Sequence, residues 1–488
     1  MKRIFAITLV LLMIISLCAC GKTEQSSSGN GAAKETTMAQ NEKHTASSAL
    51  SIGYGKVNIT PEYSVPLSGY GNSSQRMSTG FRSPLYAICL AISDGSNTVL
   101  LYSIDIGACY SPLVAMRPNV AKELGFSTDN VYFSCTHIHS GADLGNGAEP
   151  SIKKYSAELK KWLVEAGELA LADLNRATMQ VTTAETEGLN FVRRYLVADG
   201  TYNGGDITDK SLLVGHITEP DKSLQLLRFC RPDTDDILLA NFQLHPHRDT
   251  TGENYNSLCS NIPGAFRDEI EANLEDTRVI YFTGASGNIN GHSAIASENV
   301  TSDYKAQGVA LAEYALQSEG SYRQVNSGTV RICSKQVTAT VDHSRDNQVP
   351  EAHLVWNRFV ETNDKPASNE YGRQFGFSSV HDASVVIQKA AMDETAQINI
   401  HAVSVGDVAF IAVPYEMFDT TGMHIKEQSP FEMTIVMYLT NEIYGYMPDI
   451  DAFPYGLYEV DVTKFVPGTA EIFEQTYLEM LESLHSGL

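Results

Sequence analysis

Six apolar, β-branched runs in this chain each stop abruptly at polar residues capable of chemistry, and no other feature limits its fold as tightly. Val99 to Ile104 ends at Asp105, and Val131 to Cys135 runs into Thr136-His137-Ile138-His139-Ser140. Ile237 to Leu244 leads to His245-Pro246-His247, and Val279 to Phe282 leads to the turn Gly284-Ala285-Ser286-Gly287-Asn288. Val408 to Val413 ends at Pro414-Tyr415-Glu416, and Met433 to Leu439 at Thr440-Asn441-Glu442. Short continuous apolar runs suit strands buried on both faces. In such sheets the ligand crevice lies beyond the strand ends. The run ends therefore predict one assembled site.

Helical patterns alternate with these runs. Residues 152–175 place Ile152, Tyr155, Leu159, Trp162, Ala166 and Leu169 at helical spacing, with Lys153, Lys154, Glu158, Lys160 and Lys161 around the other face. Residues 262–274 and 302–317 read similarly, with Pro263 at the start of the first. A last helix over 468–484 closes the chain. Residues 325–403 alternate Val and Thr with polar loops and predict antiparallel strands plus an excursion. The reading is a mixed α/β (α+β) fold: one large domain of central mixed sheets flanked by helices, its site at the strand ends, its first and last segments packed together.

Lys2 and Arg3 precede an apolar stretch from Ile4 to Ile15, the plan of an export signal. Leu17-Cys18-Ala19-Cys20-Gly21 follows and resembles the bacterial lipobox, in which the final cysteine carries lipid. Residues 1–19 thus read as a lipoprotein signal peptide, and 20–48 as a lipidated Cys20 with a flexible linker. This predicts an extracytoplasmic protein at the bacterial cell surface, held to the membrane by lipid. With 35 Lys+Arg against 58 Asp+Glu the chain carries a net charge of −23, which argues against nucleic acid as a partner. Cys89, Cys109, Cys135, Cys230, Cys259 and Cys333 are widely spaced and read as buried thiols rather than a disulfide framework.

Four of the 13 histidines form the pairs His137/His139 and His245/His247. On a strand, period two turns both members of a pair to one face. Neutral imidazoles are good zinc ligands, and Glu416 offers an oxygen. A scattered histidine is ordinarily surface or satisfied core; two pairs, each closing an apolar run, point to a metal. Gly284 to Asn288 follows a strand as a nucleophile elbow would, but its fifth position is Asn where Gly is needed. It reads instead as a tight turn in which Gly284 and Gly287 permit positive φ.

The stretches VNITPEYSVPLSGYG, THIHSGADLG, NFVRRY, NFQLHPH, FTGASGNINGH, AVPYE and NEIYGYMPDIDAFPYGLYEV, in that order, resemble the neutral/alkaline non-lysosomal ceramidase family in its N-terminal catalytic domain. The likeness covers nearly all of residues 50–484 and implies a ceramidase-like catalytic domain over 49–488. It implies one zinc per chain, held by His137, His245, Glu416 and Tyr446. It casts His139 as a catalytic non-ligand, Arg193 as a substrate contact and Tyr458 as a second active-site tyrosine. Where the family has a Ser in a Gly-Asp-Val-Ser-Pro block, this chain has Asn290 in Gly287-Asn288-Ile289-Asn290-Gly291. Asn cannot serve as a nucleophile, but its amide can donate to an oxyanion. The resemblance reaches the family's N-terminal catalytic domain and does not extend to its C-terminal β-sandwich. The implied activity is zinc-dependent hydrolysis of an amide (N-acyl) bond in a ceramide-like or other amphiphilic, lipid-like substrate by a metal-activated water. Two alternatives stand beside it: a metal-dependent amidase or esterase on a small non-lipid, glycan-type substrate, and a surface-binding lipoprotein with impaired catalysis.

Overall fold

Residues 50–70, 76–248 and 252–487 are described by a computed structural model. The signal segment, Cys20 and the linker to residue 48 lie outside the described residues. Three sheets carry the domain. The first orders its strands Val131–Cys135, Thr98–Ile104, Tyr86–Ser93, Ser51–Asn58, Asn175–Arg176. The second runs Thr277–Thr283, Asp236–Phe242, Ser223–Cys230, Thr178–Glu185, Arg323–Val325, and the third Val330–Thr340, Thr395–Val405, Val408–Ala412, Met433–Met437. The expected mixed α/β domain is what forms.

Each of these sheets contains one parallel pair among antiparallel ones. Thr98–Ile104 runs parallel to Val131–Cys135, Asp236–Phe242 to Thr277–Thr283, and Val408–Ala412 to Met433–Met437. These six strands are the six apolar runs. Parallel partners finish at the same end, so each pair delivers two C-terminal ends side by side. Cross-sheet hydrogen bonds then bring the pairs together. Tyr438 N donates to Thr283 O at 3.1 Å, Ser134 Oγ to Tyr438 O at 3.0 Å, and Asn241 Nδ2 to Val436 O at 2.9 Å. Ile88, Leu101, Ile280, Phe282, Val403, Phe410 and Ile435, drawn from all three sheets, form one buried core behind that convergence.

The helices cover the outer faces. Pro150–Ala172 lies on the first sheet, and Asn261–Asn273 and Tyr304–Gln317 pair with each other beside the second. The buried stripe of Pro150–Ala172 is Ile152, Tyr155, Leu159, Leu163, Ala166 and Ala170. Leu169 is 45% exposed, contrary to expectation, because the stripe steps by three and four and passes through Ala170 instead. The two ends of the chain also serve different sheets. Ser51–Asn58 pairs within the first, while Thr469–Ser486 packs on Val330–Thr340 and Thr395–Val405 of the third. Of the six described cysteines, four are buried and Cys230 and Cys333 are half-buried; all are free.

The excursion within 325–403 is helical. Val330–Thr340 and Thr395–Val405 pair antiparallel, and between them stand the helices Val349–Thr362, Lys365–Arg373 and Val380–Ala390. Ala352, Val355, Phe359, Phe377, Val380, Ala383 and Val386 give this insert a small core of its own.

His401, in the third sheet, is 7% exposed and meets Ser334 Oγ at 2.8 Å through Nδ1. Burial, with help from Arg117, lowers its pKa to about 4, against about 6.5 in an unfolded chain. Between those values the unfolded chain binds the extra proton, so stability falls as pH drops from 6.5 toward 4. His401→Gln is expected to flatten the acid side of the stability curve by up to about 1.4 kcal/mol per pH unit, one proton's worth. Denaturant melts at pH 4.5 to 7 measure it; an unchanged slope contradicts the assignment.

Candidate metal centre

The strand Val131–Cys135 stops before its histidines, and so does Asp236–Phe242. The strand-period argument for the two His-x-His pairs therefore does not hold. What aims the rings is turn geometry. His137 sits at φ +63°, in the left-handed region, a conformation that costs about 1–3 kcal/mol in a non-glycine residue and clusters at functional sites. Its Nδ1 lies 2.6 Å from Gly107 O, and His245 Nδ1 lies 3.3 Å from Ser286 O. Because a carbonyl only accepts, both rings carry their proton on Nδ1 and leave an Nε2 lone pair.

Those lone pairs face each other. His137 Nε2 is 3.0 Å from His245 Nε2, which is 3.0 Å from His139 Nε2. Glu416 Oε2 is 3.6 Å from His137 Nε2. The three imidazoles are 7%, 1% and 9% exposed in the order His137, His245, His139, and their donor atoms all lie within 4.8 Å of one another. Two lone pairs at 3.0 Å repel unless a cation stands between them. Nitrogens on a tetrahedral zinc are about 3.3 Å apart, so the cluster is the right size. Burial lowers the pKa of all three rings, with Glu416 opposing this at His137 and the neighbouring imidazoles adding to it at His139 and His245. The rings are thus neutral at pH 7, the form a metal needs. The residues fit a divalent metal of the nitrogen- and oxygen-binding kind. His139 stands in this donor cluster at the same distance as its neighbours, besides the non-ligand role that the resemblance implies for it.

Glu416 and Tyr446 are register partners on the short parallel strands Glu416–Met417 and Tyr446–Met447, which puts both side chains on one face. Tyr438 OH donates to Glu416 Oε2 at 3.2 Å. Arg193 donates from Nη2 to Tyr446 OH at 2.9 Å and to Gly287 O at 2.8 Å, and from Nε to Glu459 Oε1 at 2.7 Å. Burial works against the Arg193 charge, but Tyr446 and Glu459 outweigh it and push its pKa up. Tyr458 joins this group, its ring centroid 5.5 Å from that of Tyr446. Neighbouring Arg194 instead donates to Ala452 O and Gly456 O, so it fixes a loop. Asn290 lies on Ile289–Asn290 against Phe191–Val192 with its Oδ1 buried and unpartnered. Among the described residues no hydrogen bond ties its side chain to the imidazoles.

The turn after Thr277–Thr283 needs glycine for closeness rather than for φ: neither Gly284 nor Gly287 has positive φ. A Cβ on Gly284 would stand 2.3 Å from Gln243 Oε1, and one on Gly287 2.7 Å from Glu416 O. Gly287 N also donates to Met417 O at 2.8 Å. Gly287→Ala is therefore expected to push the Glu416 strand away from the imidazoles and weaken metal binding about tenfold or more, the range seen when a ligand's support is lost. Competition against a chromogenic chelator measures this; unchanged affinity contradicts it.

Two residues carry no sequence signal, Tyr438 because it lies inside an apolar run and Glu459 because it acts through Arg193. Asp105, which ends the first run, has a structural job. Asp105 forms a buried ion pair with Arg267 at 2.5 Å and accepts from Thr136 Oγ1 at 3.1 Å, next to His137. A cavity of about 610 Å³ opens onto His137, His139, Glu416, Tyr446 and Tyr458. The helical insert walls it with Trp356, Lys365 and His381. A second cavity of about 720 Å³ shares Glu416, Tyr446 and His381 with the first.

Fold and site together describe a mixed α/β protein with a buried imidazole–carboxylate cluster at the ends of three parallel strand pairs. Its fold is that of the neutral ceramidases. The crystal structure of neutral ceramidase from Pseudomonas aeruginosa superposes with a TM-score of 0.67 at 14% identity, covering 90% of this chain and 75% of that one. A ceramidase complexed with C2 gives a TM-score of 0.63 at 16% identity, over 90% of this chain and 76% of the other. At these identities the likeness is one of fold. No protein-family model matches the sequence.

Proposed function

We propose that this chain is a zinc-dependent hydrolase of ceramidase type that cleaves the amide bond of an N-acyl, amphiphilic substrate. The observation that carries the reading is the set of Nε2 atoms converging at 3.0 Å beside Glu416 at the floor of a cavity. His137, His245 and Glu416 would hold the ion, with Tyr446 beside Glu416 as the fourth donor. When bound, a divalent metal there supplies Lewis-acid polarisation of a carbonyl and a water whose pKa falls to about 7.

The chain's own residues do the rest. His139, neutral and with Nε2 facing the cluster, takes up a proton there and returns it to the leaving nitrogen. Arg193 keeps its charge and fixes the Tyr446 hydroxyl by donating to it. Tyr458 offers an O–H to the oxyanion, and Asn290 an amide N–H where the family carries serine. The Cys20 anchor belongs to the same proposal. Leu17-Cys18-Ala19-Cys20 supports it, and it sets the catalytic domain at the bacterial surface.

Metal-replete protein tested on short- and long-chain N-acyl sphingosines, acetylated sugars and simple N-acyl amines checks the reading. Cleavage of an N-acyl amine, lost on chelation, is expected. No cleavage of any acyl amide or ester overturns it. One observation favours the second reading, an amidase or esterase on a non-lipid substrate: polar and aromatic side chains such as Tyr110, Asn357 and Gln388 dominate the cavity lining. Preference for the acetylated sugars would support that alternative.

A further inference from the structure

Among the described residues, lysines that are buried or half-buried ordinarily find a carboxylate. Lys56 pairs with Glu271, Lys335 with Glu479, Lys389 with Asp342 and Lys426 with Asp221, at 2.9, 2.7, 2.7 and 2.9 Å. With 58 acidic residues against 35 basic ones, that is the expected state of an ammonium group. Lys365 and Lys464 depart from it, and both line the site. Lys365 opens the helix Lys365–Arg373 of the insert and borders the cavity that reaches His137 and His139. Lys464 borders the adjoining cavity, and its Cε lies 4.0 Å from where a Cβ on Gly445 would stand, next to Tyr446. Each side chain is half-buried. Burial lowers the pKa of both, and no carboxylate offsets it.

His381 joins the two. Its ring lines both cavities and stacks on Tyr458 with centroids 6.0 Å apart. Burial, then Lys365, then Lys464 lower its pKa to about 4, so it is neutral at pH 7 and offers one ring N–H. The carboxylates of the same cavities are engaged elsewhere. Glu416 meets Tyr438 and His137, Glu442 bonds Tyr444, and Asp143 accepts from Gly145 N. Two half-buried ammonium groups without a counter-charge are costly, and an incoming anion relieves that cost. Lysine is a compact point charge that imposes no bidentate geometry, so a carboxylate and a phosphate satisfy it alike.

We propose that Lys365, Lys464 and His381 form an anion subsite that takes a carboxylate or phosphate on the polar end of the substrate while its acyl amide meets the imidazole cluster. This rests on the hydrolase reading above and narrows its substrate class: an N-acyl amine bearing an anionic group, rather than a neutral amphiphile.

The test uses three N-lauroyl amides alike except at the head: glycine, phosphoethanolamine and uncharged ethanolamine. Metal-replete protein is expected to show a KM at least tenfold lower for one or both anionic amides than for the neutral one. The two anionic arms tell carboxylate from phosphate. Lys365→Met with Lys464→Met is expected to shrink that preference at least tenfold. If the double variant does not fold, Lys365→Gln alone, at the start of a helix, is expected to shrink it at least threefold. Equal KM for all three heads, or a preference unmoved by the variants, overturns the subsite. Binding is read separately from turnover, because Trp356 lines the same cavity and its fluorescence reports occupancy. If no amide is cleaved but the anionic ones still quench Trp356 at lower concentration than the neutral one, the subsite stands and the hydrolase reading falls. Equal quenching by all three overturns the subsite.

Discussion

His245→Ala is expected to remove metal binding and to lower hydrolysis by well over 100-fold, since even the loss of an outer-shell partner costs 10- to 100-fold. His245 is the middle member of the cluster. Its Nε2 is 3.0 Å from both His137 Nε2 and His139 Nε2, so deleting it takes away one of the two nitrogen ligands of the proposed site. The ring is 1% exposed, and alanine leaves a cavity in place of a buried imidazole. A stability measurement accompanies the assay for that reason. A correctly folded variant with no metal and no activity supports the account. A folded variant that keeps full activity removes His245 from the site.

The second large effect is on stability. Asp105→Ala is expected to destabilise the fold by about 3–5 kcal/mol, the usual result of stranding one partner of a buried ion pair. Arg267 Nη2 and Nη1 reach Asp105 Oδ2 and Oδ1 at 2.5 and 3.1 Å, and the two side chains are 1% and 0% exposed. Asp105 also accepts from Tyr86 N at 2.9 Å, tying the end of Thr98–Ile104 to its neighbour. The double change Asp105→Leu with Arg267→Met is expected to cost less than either single change, because no charge is then left buried. Urea melts of the three variants decide the matter; a loss under about 1 kcal/mol for Asp105→Ala contradicts the account.

The sequence made some of this legible for a definite reason. Strands paired in parallel are buried on both faces, so their apolar runs are uninterrupted and their ends are sharp. That is why the six runs and the polar residues after them stood out, His137, His139, His245 and Glu416 included. Strand period is not what brings the histidine pairs together, because both strands stop before them. Their convergence comes from the left-handed turn at His137 and from carbonyl anchors on Nδ1, neither of which has a sequence period.

What hid did so for equally physical reasons. The insert's helices carry Ala352, Val355 and Phe359 at helical spacing, but Leu354 and Val360 beside them are 52% and 42% exposed and blur the stripe. Asp105 looked like a chemical residue at a strand end, and only its contact with Arg267, 162 positions away, shows it to be a bolt. Tyr438 and Glu459 act on the site through Glu416 and Arg193, and such second contacts leave no trace in spacing. Glycine in Gly284 to Asn288 was legible as a requirement, though its cause is the Gln243 side chain against Gly284 and the backbone of Glu416 against Gly287 rather than the dihedral angle.

The central claim is that His137 Nε2 and His245 Nε2, 3.0 Å apart beside Glu416, share a divalent ion. Metal analysis of the purified, buffer-exchanged protein by inductively coupled plasma mass spectrometry tests it most directly. The account expects about one zinc-class ion per chain, retained through dialysis and absent from the His137→Ala and His245→Ala variants. Folded protein that retains no divalent ion after incubation with micromolar zinc would contradict it.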